Sequence, residues 1–468
     1  MGPVPALSDR ATACAERLGR ADGVLLASHI DADGLTSAAI ASTGLERAGI
    51  DHDVVFKKQL DADEIASIAA REFDTVLFTD FGSGQLDVIA EHEQAGDFEP
   101  VIADHHQPAD AETEYHLNPL LEGIDGASEL SGAGASYLLA RALEAGTDNR
   151  DLAALAVVGA VGDMQAVGGE LVGANRDIVE EGIEAGALDE GTDLAFYGKQ
   201  TRPLPKLLEY ASEVRIPGVS NDEAGAVSFL EGLDVDLRGG EEWRRWVDLT
   251  DDEQQTVASA LVQHALKRGV PAKKVDQLVG TTYTLVEEPE GTELRDASEF
   301  STLLNATARY DRADVGLGVC LGDRTGALDR ARTLLQNHRR NLSDGLERVK
   351  SKGVERAEYV QYFDAGDEIR ETIVGIVAGM ALGVDGVDPD RPILAFAEKN
   401  DEETKVSSRG TARLVGEGLD LSVVMREASQ SVGGDGGGHD VAAGATIPTG
   451  EKSAFVAAAD DIVAEQLG

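Results

Sequence analysis

Short apolar runs alternate with amphipathic segments along the first 160 residues of the chain. The runs GVLLAS (23–28), HDVVF (52–56), TVLFTD (75–80) and PVIAD (100–104) predict four buried strands. The segments between them repeat their apolar positions with a helical period and predict helices over 37–49, 64–72 and 85–96. Strict alternation of strand and helix predicts an α/β fold with a doubly wound, mostly parallel sheet.

Beyond this sheet the pattern changes twice. Helices are predicted over 131–146 and 151–163, and the region 216–340 is less regular, with one strand near 279–288. From about 341 a smaller α/β unit is predicted, with helices over 373–382 and at the C-terminus and strands over 392–399, 404–410 and 441–447. We therefore predict an N-terminal domain over 1–215, a middle region over 216–340 and a C-terminal domain over 341–468, with a cleft between the two outer domains.

The charge of the chain is extreme, because 86 acidic residues face 41 basic ones and give a net charge of −45. This charge is spread along periodic sequence, and only 12 of the basic residues are lysines. Such a surface keeps a protein soluble in concentrated salt, where charges are screened within about 3 Å at 1 M. We interpret the charge as a sign of a halophile's cytoplasm, and it gives no basic face that would indicate nucleic acid.

Neither export nor membrane insertion is indicated by the sequence. No apolar run approaches the length of about 18 residues that a membrane span needs, and the segment MGPVPALSDR has no basic region followed by an apolar one. Cys14 and Cys320 lie far apart and form no disulfide or metal-binding pattern. We expect a cytoplasmic location and no membrane partner.

Polar side chains with metal-binding chemistry follow the strands of the predicted sheet. The ligand crevice of an open α/β sheet lies beyond the carboxyl ends of its strands. The candidate residues there are His29, Asp31 and Asp33 after the first strand, Asp80 after the third, Asp104, His105 and His106 after the fourth, and Asp163 after a helix. Taken singly, Asp-x-Asp-Gly is typical of a turn, a histidine pair of an exposed surface and Gly-Asp of a loop. Their recurrence at one edge of one sheet favours a metal centre.

Four carboxylates (Asp31, Asp33, Asp80 and Asp163) and two imidazoles (His29 and His105) are enough for two divalent ions if one carboxylate bridges them. Mixed nitrogen and oxygen ligation favours Mn²⁺, with Mg²⁺ or Co²⁺ as alternatives. Two such ions can share a hydroxide and stabilise both the attacking and the leaving oxygen of an in-line phosphoryl displacement. The residues therefore predict a phosphoesterase.

The segments SHIDADGLTSAA, FTD, ADHH and VGAVGD resemble the motifs of the DHH phosphoesterase superfamily. The resemblance implies that His29, Asp31 and Asp80 hold one ion and that Asp33, Asp80, His105 and Asp163 hold the other, with Asp80 bridging. It also implies that His106 faces the scissile phosphate and that Asp104 orients a ligand histidine. The catalytic residues implied are Asp80, Asp104 and His106.

The C-terminal segments GGDGGGHDVAAGATI (433–447) and SSRG (407–410) resemble the domain associated with this superfamily. By themselves the glycines would predict a flexible loop, and the arginine would predict a surface residue. The resemblance implies a substrate-binding site that binds phosphate groups. Its residues would be His106, Arg409, Gly436, Gly437, Gly438 and His439.

Three further segments, 131–143, 201–211 and 299–323, resemble RecJ-type single-strand exonucleases, and the last two are most similar to the archaeal, GINS-associated members. The resemblance implies hydrolysis of single-stranded DNA or RNA by a bridging hydroxide, a role in DNA repair or replication, and the replicative helicase component GINS as a partner. Two alternatives stay open. One is a small-substrate phosphoesterase acting on an oligoribonucleotide, a cyclic dinucleotide or a phosphoadenosine nucleotide, against which the extended middle region argues. The other is a catalytically silent replication scaffold, against which the complete ligand set argues.

Overall fold

The computed structural model describes residues 2–143, 146–166, 169–211, 214–384 and 386–468. Its helices are α1 (Ser8–Leu18), α2 (Ala32–Ala48), α3 (Ala62–Ala69), α4 (Leu86–Ala95), α5 (Gly132–Ala142), α6 (Ala153–Gly162), α7 (Gly173–Glu184), α8 (Leu204–Glu209), α9 (Glu223–Glu231), α10 (Asp251–Lys267), α11 (Ala272–Val275), α12 (Ala297–Arg309), α13 (Ala313–Cys320), α14 (Gly326–Lys352), α15 (Glu371–Ala381), α16 (Ala412–Glu417), α17 (Leu421–Ser431) and α18 (Lys452–Leu467). Its strands are β1 (Val24–His29), β2 (His52–Lys57), β3 (Thr75–Thr79), β4 (Glu99–Ala103), β5 (His116–Leu117), β6 (Leu188–Leu194), β7 (Arg238–Gly239), β8 (Glu242–Trp243), β9 (Val279–Leu285), β10 (Glu355–Arg356), β11 (Gln361–Asp364), β12 (Ile393–Glu398), β13 (Glu403–Arg409), β14 (Asp435–Gly438) and β15 (Ala442–Pro448). The chain forms two compact units, Met1–Arg332 and Thr333–Gly468.

The first unit is built on a parallel sheet with the strand order β2-β1-β3-β4-β5. Strands β1 and β3 are buried on both faces, which explains why they appear in the sequence as continuous apolar runs. One face of the sheet packs its apolar side chains against α3 and α4, and α2 lies against β1. The predicted doubly wound parallel sheet is confirmed.

Two predicted helices differ from the structure by four or more residues at one end. The helix expected over 37–49 begins five residues earlier, at Ala32, because the side chain of Asp31 caps it by accepting a hydrogen bond from Gly34 N. The helix expected over 131–146 is α5, which ends at Ala142, and residues 144 and 145 of that prediction lie outside the described residues. The early start of α2 places Asp33 in its first turn.

Residues of the predicted middle region fold within the first unit. Strands β6 and β9 form an antiparallel pair, and a separate apolar core surrounds Trp246 and Leu207. Helices α12 and α13 pack on α2, and the predicted boundary at 340 falls inside the continuous helix α14. The finer division into three domains stays a prediction.

The second unit contains a mixed sheet with the order β10-β11-β12-β13-β15-β14. Strands β11 and β12 are parallel, and the other neighbours are antiparallel. Helix α15 contributes to the core on one face, and α17 and α18 contribute to the core on the other. The predicted C-terminal α/β domain is confirmed. Among the helices that the structure describes, none combines the length and the apolar character that a membrane span requires.

One buried carboxylate predicts a pH dependence of stability. Glu299, at the start of α12, accepts hydrogen bonds from Gln200 N and Thr201 Oγ1, and burial raises its pKa to about 7. The folded protein therefore binds a proton that the unfolded chain has lost between pH 4.5 and 7, so the contribution of Glu299 to stability falls as the pH rises through this window.

We expect the substitution Glu299→Gln to remove this contribution, which amounts to at most roughly 3 kcal/mol. The free energy of unfolding is measured with urea at pH 5 and pH 8 in constant KCl. The contribution of Glu299 is the difference in this free energy between wild type and variant at each pH. Glu91→Gln, which changes an exposed residue of α4, is the control. Equal pH slopes for wild type and Glu299→Gln would contradict the assignment.

Candidate metal centre

The turn between β1 and α2 carries three of the predicted ligands. His29 is the last residue of β1, Asp31 caps α2 and Asp33 lies in the first turn of that helix. A Cβ atom at Gly34 would lie 2.3 Å from the carbonyl oxygen of His29, so only glycine lets the helix begin this close to the strand. The local sequence thus places an imidazole and two carboxylates within five residues.

Asp80 occupies the centre of the cluster. It follows β3 with a left-handed φ of 60°, a conformation that aspartate tolerates better than most residues. Its Oδ1 lies 3.3 Å from His105 Nε2, and its Oδ2 lies 3.6 Å from His29 Nδ1. The two carboxylate oxygens therefore face different imidazoles.

Asp33, His105 and Asp163 form the other side of the cluster. His105 Nε2 lies 3.8 Å from an oxygen of Asp33 and 3.8 Å from an oxygen of Asp163. Asp33 also accepts hydrogen bonds from Gly132 N and Ala133 N at the start of α5, where the helix dipole favours a negative charge.

The structure brings all six predicted ligands together. The ligand atoms of His29, Asp31 and Asp80 lie within 4.8 Å of one another, as do those of Asp33, His105 and Asp163. The first group has the members of the first predicted ligand set, and the second group has those of the second predicted set apart from Asp80, whose Oδ1 lies 3.3 Å from His105 Nε2. A third group within the same distance contains Asp80, Asp104, His105 and His106.

The electrostatics of the cluster fit divalent cations. Burial raises the pKa of Asp33 well above its usual range, and the charges of Asp80 and Asp163 raise it further. Burial also raises the pKa of Asp163. The pKa of Asp80 is lowered, since hydrogen bonds from His105 and His29 outweigh the effect of its burial. Buried carboxylates that repel one another are stabilised by a cation, so the donor set suits a metal ion.

Neighbouring groups hold the ring of His105 in a ligating orientation. Its Nδ1 donates a hydrogen bond of 2.6 Å to the carbonyl oxygen of Gly126, which turns Nε2 towards the carboxylates. Gln165 is fully buried and donates both to the same carbonyl and to Asp163 Oδ2. Gln165 thus links two predicted ligands from behind, as outer partners of metal ligands commonly do.

Asp104 contacts a different histidine from the one expected. We expected it to orient a ligand histidine, but its Oδ1 accepts a 2.8 Å hydrogen bond from His106 Nδ1, while the His105 ring is held by Gly126. Backbone N–H groups of Ser83 and His105 also donate to Asp104. The pKa of Asp104 falls to about 2, since the hydrogen bond from His106 and the charges of both imidazoles outweigh its burial. The hydrogen bond to Asp104 raises the pKa of His106 and favours its protonated form.

An open pocket of about 620 Å³ adjoins the cluster. His29, Asp31, Asp80 and Asp163 line it on the metal side, and the ring of His106, about half exposed, lies at its wall. Lys58 and three glutamines are also part of the lining, namely Gln59, Gln85 and Gln107. The pocket gives a phosphate group access to the predicted metal ligands.

Sequence models of known families match three segments of the chain. The N-terminal domain of the DHH family matches residues 23–160, the DHH-CID domain matches 196–279 and the DHHA1 domain matches 357–465. An uncharacterized protein of Methanocaldococcus jannaschii is 30% identical over 447 residues, which cover 94% of this chain and 93% of the relative. The chain belongs to the DHH family.

Solved structures show the same fold. Exonuclease RecJ bound to manganese matches 99% of this chain over 96% of its own length, with a TM-score of 0.62 and 19% identity. CDC45 from Entamoeba histolytica matches 98% of this chain over 97% of its own length, with a TM-score of 0.64 and 11% identity. RecJ from Thermus thermophilus in complex with Mn²⁺ matches 99% of this chain, which spans 55% of the length of that protein (TM-score 0.61, 19% identity).

The DHHA1 segment of this DHH-family chain holds the other predicted site residues. Gly436, Gly437 and Gly438 lie in β14, an edge strand paired with β15, and do not form the loop that the glycines alone would predict. Arg409 ends β13 opposite Ala442, and His439 N donates to the carbonyl of the same Ala442. Arg409, the glycine strand and His439 therefore meet at one end of the second sheet. Their role in binding substrate stays a prediction.

The structure adds residues to the DHH centre that sequence reasoning missed. Gln165 supports His105 and Asp163, and the first N–H groups of α5 bind Asp33. Asn305 on α12 bonds to the backbone of the turn that carries Asp31 and Asp33. The helix-start signal Ser131-Gly132 could have indicated the α5 contact. No local signal points to Asn305, since it lies 273 residues from its partner.

Proposed function

We propose that this DHH-family protein is a metal-dependent phosphodiesterase, and that it acts as an exonuclease on single-stranded DNA or RNA. The observation that carries the proposal is the gathering of four carboxylates, including Asp80, and two imidazoles beside an open pocket that four of these six side chains line. The RecJ-like fold supports the choice of substrate, and so do the RecJ-like segments of the sequence.

Two sets of side chains would hold two divalent ions, Mn²⁺ by preference. The first set is His29, Asp31 and Asp80, and the second is Asp33, Asp80, His105 and Asp163. Bound ions of this kind supply an acidified water as nucleophile and neutralise charge on a phosphoryl group. Asp80 would serve both sets, because its two oxygens face the two imidazoles.

His106 is the side chain best placed to act on the substrate itself. Asp104 holds Nδ1 of the ring, which leaves Nε2 to donate a hydrogen bond to a non-bridging oxygen of the scissile phosphate. The hydrogen bond to Asp104 raises the pKa of His106 and favours its cationic form, whose hydrogen bond to the phosphate strengthens as negative charge grows in the transition state. Asp104 therefore acts through His106 and is a positioning residue in this scheme.

The C-terminal unit would bind phosphate groups of the substrate. Arg409 offers a planar guanidinium that can bind a phosphate through two hydrogen bonds, and His439 lies at the same end of the second sheet. The glycines of β14 allow the backbone to approach a ligand closely, because they carry no side chain.

We further propose GINS as a partner of this nuclease.

The alternative of a catalytically silent scaffold is supported by the fold alone, since the chain resembles CDC45 as well as RecJ. Fold alone does not choose between a hydrolase and a scaffold. The complete and oriented ligand set favours the hydrolase. The small-substrate alternative is distinguished by the products of hydrolysis.

The test is a time course on single-stranded DNA and RNA, labelled separately at the 5′ and 3′ ends, in molar KCl with Mn²⁺. We expect mononucleotides to be released from one end of the strand. Intact long strands, combined with hydrolysis of dinucleotides or of a phosphoadenosine nucleotide, would assign the protein to the small-substrate branch. A folded protein that binds Mn²⁺ and hydrolyses none of these substrates would support the scaffold.

A further inference from the structure

Helix α12 lies outside the three segments that match the family models, yet it packs on two helices of the metal centre. These are α2, which carries Asp33, and α6, which ends next to Asp163. The packing is close, since a Cβ atom at Gly162 would lie 2.7 Å from Ala32 Cβ and 3.2 Å from Ser301 Cβ. Helix α12, which is distant in sequence, therefore packs against the two helices next to Asp33 and Asp163.

One hydrogen bond connects α12 directly to the turn that carries the ligands. Asn305 Oδ1 accepts from Ala32 N at 3.1 Å. Ala32 lies between Asp31 and Asp33 and is the first residue of α2, so its N–H has no carbonyl partner inside the helix. Ala32 is 1% exposed, which leaves little access for water to replace the bond.

Two side chains thus fix the start of α2. Asp31 Oδ1 accepts from Gly34 N, and Asn305 Oδ1 accepts from Ala32 N. Without the second bond, a buried N–H would lack a partner, and the turn would have to shift to find one. Any such shift moves Asp31 and Asp33, which belong to different ligand sets.

We propose that Asn305 is a positioning residue of the metal centre, which sets the spacing of Asp31 and Asp33 through the backbone of Ala32. It contacts neither ion directly and acts only through the turn. The inference rests on the metal-binding part of the proposed function and is independent of which phosphodiester is cleaved.

The experiment measures Mn²⁺ affinity without substrate, by electron paramagnetic resonance of the free ion in a titration. Asn305→Leu and Asn305→Ala both remove the hydrogen-bond acceptor, one with a larger apolar side chain and the other with a smaller one. Asn305→Asp keeps an acceptor oxygen. We expect the first two to weaken Mn²⁺ binding by about 10- to 100-fold, the range found when outer partners of ligands are lost. Asn305→Asp should restore most of the affinity.

Thr302→Ala is the matched control, since the Thr302 hydroxyl donates to Ser298 O within α12 itself. Wild-type affinity in Asn305→Leu or Asn305→Ala would overturn the proposal. An equal loss in Asn305→Asp would also overturn it, because the acceptor is then not what matters. A wild-type protein that binds no Mn²⁺ would overturn the metal centre itself, whereas wild-type binding with unaffected variants rejects only the role of Asn305.

Discussion

The substitution Asp80→Asn is expected to lower phosphodiester hydrolysis by roughly 1,000-fold, the scale of losing a central charge-stabilising group. Asp80 lies within reach of both ligand sets and is buried, so its negative charge contributes to both ion sites. Asparagine keeps the shape of the side chain and tolerates the left-handed φ of 60°, whereas alanine would add backbone strain. The rate of nucleotide release and the Mn²⁺ affinity, measured together, should both fall.

The Asp80→Asn variant should lose some stability in the absence of ions, because the lowered pKa of Asp80 means that its charge beside His29 and His105 stabilises the folded state. Circular dichroism should therefore show that the variant is folded before its rate is compared with that of the wild type. Asp53→Asn, on the exposed side of β2 in the same sheet, is the matched control and should retain full activity. If Asp80→Asn retained Mn²⁺ affinity and rate, the assignment of Asp80 as a shared ligand would be wrong.

Gly132→Ala is expected to reduce activity by about 100-fold, the effect of displacing a catalytic group by about 1 Å. A Cβ atom at Gly132 would lie 2.4 Å from Asp80 Oδ1, so the added methyl group must push that carboxylate or α5 away. Gly132 N also donates to Asp33, and a movement of α5 would weaken this bond as well. The rate at saturating substrate and the Mn²⁺ affinity measure the effect.

Gly416→Ala supplies the comparison for this variant, since Gly416 lies in α16 with open space around its Cβ position. Alanine is a better helix former than glycine by about 1 kcal/mol, so the control should be neutral or slightly stabilised. Full activity in Gly132→Ala would show that the first turn of α5 does not limit the position of Asp80.

Much of the site was predictable because its ligands follow strands. In a parallel sheet the carboxyl ends meet at one edge, so His29, Asp80 and His105 converge once the strand order is known. The partner of Asp104 was not predictable in this way. Which of the two adjacent imidazoles Asp104 contacts depends on the backbone of the loop. In the structure His105 Nδ1 donates to Gly126 O, and His106 Nδ1 donates to Asp104.

The remaining misses have two physical causes. Asn305 and Ala32 are brought together only by tertiary packing, and a single sequence carries no sign of such a contact. The glycines of β14 form a strand through backbone pairing with β15, although glycine by itself disfavours strands. The capped start of α2 could have been found, because Asp31 stands three residues before Gly34, the position that an N-cap side chain bonds.

The central claim is that two ions share Asp80 in the DHH domain. Anomalous diffraction at the manganese edge from crystals grown with Mn²⁺ tests it most directly. We predict two peaks, one within bonding distance of His29, Asp31 and Asp80, and the other within bonding distance of Asp33, His105 and Asp163, both next to Asp80. The absence of peaks in this cluster, or manganese bound only elsewhere, would contradict the claim.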